Sequence, residues 1–154
     1  MTGVGDLFEN AATLSEQRLD AGSPLWPIVA DTYLAAGYTI WYTPHEPMAE
    51  RFWGEALRIQ RAELPADHPD IATTISLLAG VLTRAGRASE AEGLVRESVA
   101  AVRRVHRPDS FAVATAESML GWTLAQQAKF GEGEELLLRS HDIIMAHVLS
   151  LIHI

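Results

Sequence analysis

The sequence predicts an all-α fold, a set of tandem antiparallel helical hairpins stacked as a short right-handed α-solenoid. Three observations carry that expectation: an internal repeat of 42 residues, apolar residues at the helical rather than the strand period, and proline and glycine punctuation in the same register. Residues 49–56, 91–98 and 133–140 align without gaps, each reading small, Glu, x, apolar, apolar, x, x, small. Twelve residues before each segment stands another small residue, Gly37, Ala79 or Gly121, followed three later by Ile40, Leu82 or Leu124. Gly, Ala and Ser supply 43 of the 154 residues, so nine independent positions would all be small roughly once in 10^5 trials.

The spacing has a physical reason. One small residue in the first helix of a pair, and two more seven apart in the second, lie on facing stripes and let antiparallel helices approach to ~8–10 Å. Ile75, Leu78 and Leu82, then Leu94, Val95 and Val99, supply the buried stripe at helical period. Pro27, Pro47, Pro69 and Pro108 suit the first turn of a helix, where a missing N–H leaves no bond unmade. Gly86 ends a helix, and Ser89 with Glu92 reads as a capping box opening the next. The expected elements are a leading helix near 6–20 and pairs near 27–43 and 47–63, 69–85 and 88–105, and 109–128 and 131–147. Three domains of unequal kind follow: a leading helix and linker over 1–26, three repeats over 27–147, and a tail over 148–154.

Composition narrows the function. A net charge of -8 repels phosphate backbones and anionic surfaces, so neither nucleic acid nor a membrane is the expected partner. No apolar run reaches the ~20 residues a bilayer span needs, and the first ten residues have no basic, then apolar, leader pattern. Without cysteine there is no disulfide frame and no thiolate metal site, which fits a reducing, cytoplasmic compartment. His141, His147 and His153 are six apart and turn off one helix face, so no metal is expected. No phosphate-cradling glycine loop, Gly-x-Ser-x-Gly elbow or kinase motif is present, and no cofactor or catalytic residue is assigned.

The small and apolar positions, with Leu64-Pro65-Ala66-Asp67-His68-Pro69-Asp70-Ile71-Ala72 leading into Leu78-Ala79, resemble the 42-residue tetratricopeptide repeats of kinesin light chain. They also resemble the repeat regions that follow many bacterial serine/threonine kinase domains. The resemblance covers roughly 27–147. It implies a protein- or peptide-binding scaffold in which the first helix of each pair lines a groove. On matching positions the groove candidates are Asp31, Tyr38, Trp41 and Tyr42, then Thr73, Ser76, Thr83 and Arg84, then Thr115, Ser118, Trp122 and Gln126. His68 sits in the family's loop motif, where it caps the following helix or bonds a neighbouring repeat.

Two departures qualify the resemblance. Peptide-holding members carry paired asparagines before the Leu-Ala step, where this chain has Ser76-Leu77 and Ser118-Met119, and Leu77 and Met119 offer no hydrogen bond to a peptide backbone. The first repeat has Leu34 and Ala35 at those positions. Tyr38, Trp41 and Tyr42 cluster where a groove wall would be, but aromatic residues on a terminal helix more often cover the end of the core. Residues 149–154 resemble a translated sequencing-adapter tail, so the natural protein is expected to continue past about His147. The expected role is an interaction module of a larger bacterial signalling or regulatory protein; the alternative is a free-standing sensor whose helical groove takes a peptide or small ligand.

Overall fold

A computed structural model describes residues 22–40 and 46–152, with isolated positions before 22; the side chains of Ile40 and Glu46 are excluded. Among the described residues there are six helices and no strand: α1 (Trp26–Ile40), α2 (Glu46–Glu63), α3 (Pro69–Arg84), α4 (Ala88–Val105), α5 (Phe111–Ala125) and α6 (Phe130–Ile152). Asp6, Asn10, Thr13 and Gln17 are helical, within the expected leading helix; the rest of that helix lies outside the described residues. The chain forms two compact units, residues 1–81 and 82–154, with the boundary inside α3.

Local chemistry sets the helix ends. Pro69 opens α3, and His68 caps it: its Nδ1 accepts from the Asp70 backbone N–H at 3.3 Å. Ser110, 42 residues on, does the same for α5, its Oγ accepting from the Val113 N–H at 3.3 Å. At the other end of these helices the chain turns by matching bonds. Arg87 N–H reaches Leu82 C=O at 2.8 Å and Gly86 N–H reaches Thr83 C=O at 3.1 Å; Lys129 and Ala128 reach Leu124 and Ala125, both at 3.0 Å. The pivot residue is left-handed in each, Gly86 at φ 77° and Ala128 at φ 58°.

Three expectations are corrected. The Ser89–Glu92 capping box does not form: α4 begins at Ala88, its N-cap Arg87 makes no side-chain cap bond, and Glu92 is drawn into ion pairs instead. Pro108 does not start a helix; it sits in the turn closed by Ser110 N–H on Arg107 C=O at 3.0 Å, which moves the start of α5 from 109 to Phe111. The third pair's first helix ends at Ala125 rather than 128, because the left-handed turn at Ala128 intervenes, and α6 continues past 147 to Ile152.

In the first unit α1 lies against α2. Val29, Ala30, Tyr33 and Ala36 face Ala49, Phe52, Trp53, Ala56 and Leu57, all buried at helical spacing. Trp53 is fully buried and its indole N–H donates to the Leu34 carbonyl at 3.3 Å. A Cβ at Gly37 would overlap that indole ring, so only glycine fits opposite it. In the second unit α5 lies between α4 and α6. Here the helices of a pair touch through backbone: a Cβ at Gly121 would stand 2.9 Å from the Gly133 carbonyl oxygen, and one at Gly133 would stand 2.9 Å from the Gly121 oxygen. All nine small repeat positions are buried.

Candidate functional site

The sequence of α5 is apolar around most of its circumference, which suits a helix covered on two sides by α4 and α6. What remains open is a narrow stripe at Phe111, Thr115, Ser118 and Trp122, spaced four, three and four residues apart and therefore on one helix face. Three of these were groove candidates, and they come together. Thr115, Ser118 and Trp122 line one cavity of about 290 Å³ with Met119 and Ile144. A second cavity of about 420 Å³ is lined by Asp109, Phe111, Asp142, Ile143, Ala146 and His147. Its floor is ordered by the Phe111 and His147 rings, stacked with centroids 4.4 Å apart. Phe111 stands one turn before Thr115 on the same face of α5, so the two cavities follow one another along a stripe about 16 Å long at 1.5 Å per residue.

The other candidates separate. Gln126 is exposed beyond the end of α5 and lines neither cavity; Arg84 is exposed at the end of α3. Thr83 is 3% exposed, and its hydroxyl faces that of Thr123 at 3.4 Å. It is a core residue, too deep to touch a partner, and does not belong among the groove residues. In the first unit Asp31 is exposed, and Tyr38 is half-exposed with its ring edge-on to Trp53 at 5.7 Å. Thr73 is exposed and Ser76 half-buried, each donating to the carbonyl four residues back. That leaves their oxygens only as acceptors. Trp41 and Tyr42 lie outside the described residues.

Two ionic clusters hold the groove's helices in place. Glu117 of α5 is fully buried, and its carboxylate accepts from Arg103 of α4, Nε at 2.9 Å, and from Arg139 of α6, Nε at 3.1 Å. Both arginines are about half exposed, so one buried charge is held by two cations that remain partly hydrated. At the opposite end of these helices Glu92 accepts from Lys129 at 2.6 Å, Arg96 at 2.9 Å and Gln127 at 2.9 Å, and Arg96 also bonds Glu132 at 2.9 Å. The hydrogen bond from Lys129, then those from Arg96 and Gln127, hold the Glu92 carboxyl down at about 2.

This arrangement suits binding. An apolar floor, one indole, hydroxyls and two aspartates at one end can receive a side chain and fix its orientation. Among the described residues no group of three or more His, Asp or Glu is placed to hold a metal, and no helix is long and apolar enough to cross a membrane. Sequence reasoning missed Met119 and Ile144 as lining residues and missed the whole cavity at Phe111. The signal was the stripe itself, since Phe111 stands one turn before Thr115.

The tetratricopeptide repeat family model matches residues 70–145. No curated protein matches the chain. Two solved structures share the fold: a protein of Podosopora anserina described as a kinesin light chain with nearly identical TPR-like repeats, and its Q17M variant. Each is 20% identical with a TM-score of 0.66, and the match covers 90% of this chain and 64% of theirs. The chain thus spans less than two thirds of the solved chains it resembles. At this identity the likeness concerns the fold.

Proposed function

We propose, for a chain that belongs to the tetratricopeptide repeat proteins through residues 70–145, that its third hairpin is a docking groove for a segment of a partner protein. Repeats of this family are generally protein–protein interaction scaffolds. The observation that carries the reading is the cavity in which Thr115, Ser118 and Trp122, three positions the family resemblance implies, meet Met119 and Ile144. An aromatic residue in such a place is the usual anchor of an interface, because it buries a large apolar area with little rotamer entropy to lose. All the residues that carry this role precede Val148. A bacterial signalling setting rests on the resemblance to repeats that follow kinase domains, and a cytoplasmic one on the lack of cysteine in the sequence. The net charge of -8 argues against nucleic acid and anionic membranes as partners.

The test is a selection of phage-displayed random 16-residue peptides on the immobilised chain, followed by anisotropy titration of the selected sequences. Peptides that bind saturably and lose at least tenfold in affinity on Trp122→Ala, with the helical melt still cooperative, are the expected result. Binders indifferent to Trp122→Ala contradict the groove, and a selection that yields no binder contradicts the scaffold.

A further inference from the structure

The groove is not uniform along its length. At the Trp122 end its lining is apolar and hydroxylic, while at the Phe111 end two aspartates, Asp109 and Asp142, stand over an apolar floor of Phe111, Ile143 and Ala146. Both carboxylates are open to solvent, with side chains 66% and 87% exposed. Asp109 is shared with Arg107 at 3.2 Å, a pair whose arginine is itself 85% exposed. Such a pair contributes little and exchanges readily. Among the described residues Asp142 meets only the His141 ring nitrogen, at 3.4 Å, and no lysine or arginine lines this cavity, whose remaining polar side chain is His147.

The shape and the charge name one kind of occupant. An ammonium or guanidinium at the end of an aliphatic stem can lay the stem on Phe111 and Ile143 and set its charge between the two carboxylates. A carboxylate would meet two like charges, and a purely apolar side chain would leave both aspartates facing it without gain. Resting on the docking reading above, we infer that the partner segment is basic at one end: a lysine or arginine enters the Phe111 cavity while an apolar side chain about 10 Å away fills the Trp122 cavity. That separation is seven residues of a helix, which also returns both side chains to one face. The acidic surface of the chain as a whole favours approach of the same partner.

The peptide selection decides this separately from the reading it rests on. Enrichment of lysine or arginine at a fixed distance from an apolar residue is expected, and replacing that basic residue by norleucine should weaken binding at least tenfold. On the Asp109→Asn/Asp142→Asn double variant the basic peptide should fall to the affinity of its norleucine version, which itself should be unchanged. Both aspartates are surface residues, and circular dichroism of the variant verifies that the helices remain. Peptides that need Trp122 but show no basic enrichment, or that bind the double variant as tightly, overturn the cation pocket and leave the scaffold standing. A selection without binders overturns both.

Discussion

At the scale of single residues, the left-handed pivots are the clearest case of sequence and backbone at odds. Gly86 adopts φ 77° at no steric cost, whereas the matching position one repeat later is Ala128, at φ 58° with a Cβ crowding the following carbonyl. Ala128→Gly should therefore raise stability by about 0.5–1 kcal/mol, read as a shift in urea midpoint at constant slope. A second local conflict is Ser98, at a small position whose hydroxyl is buried without a hydrogen-bond partner among the described residues. Size is what that position requires, and the oxygen only costs desolvation. Ser98→Ala should be stabilising by about 1 kcal/mol. A loss of stability in either variant would mean the turn or the packing is misread.

At the scale of elements, α5 is held between its neighbours by Glu117 with Arg103 and Arg139. Losing one arginine leaves the carboxylate a cation and should cost roughly 1 kcal/mol. Losing both leaves a buried charge unpaired, and Arg103→Ala/Arg139→Ala should cost on the order of 3–5 kcal/mol, far from the sum of the singles. Adding Glu117→Met to the double variant should recover most of that loss. Chemical denaturation of the four proteins measures the cycle, and additive singles would remove the triad from the account.

The helices themselves were legible in the sequence because every small position is buried, most plainly at Gly121 and Gly133, whose backbones touch. The end of α3 and the start of α4 were less so. A Ser-x-x-Glu string reads as a capping box, but the bond from Arg87 N–H to Leu82 C=O closes the turn one residue earlier, so α4 is already under way at Ser89. Thr115, Ser118 and Trp122 came from the family resemblance. Thr83 misled because it stands on the first helix of its pair yet points inward to Thr123; the stripe on α5 leads to Phe111, while α6 brings Ile143 and His147 to it, a tertiary fact no spacing within α5 encodes.

At the scale of the whole molecule, the acidic clusters make stability depend on pH. Glu92 has its folded value held at about 2, below the ordinary 4.5, chiefly by Lys129. Its contribution is full above about pH 4.5 and is lost as the pH falls from there towards 2. Glu132 and Glu90 are lowered in the same sense, by Arg96 and Arg87. The melting temperature should decline across that window, and Glu92→Gln should lower it at neutral pH while flattening the decline. An unchanged acid limb in the variant would place the pH dependence elsewhere.

A partner segment lying along the α5 stripe of the third hairpin would mark the residues it covers. Amide chemical-shift mapping on the isotope-labelled chain, titrated with a selected peptide, reads this out. Perturbations should concentrate at Phe111, Thr115, Ser118, Met119 and Trp122, and at Ile143, Ile144 and His147 on the facing helix. Saturable binding whose perturbations avoid these residues would contradict that placement.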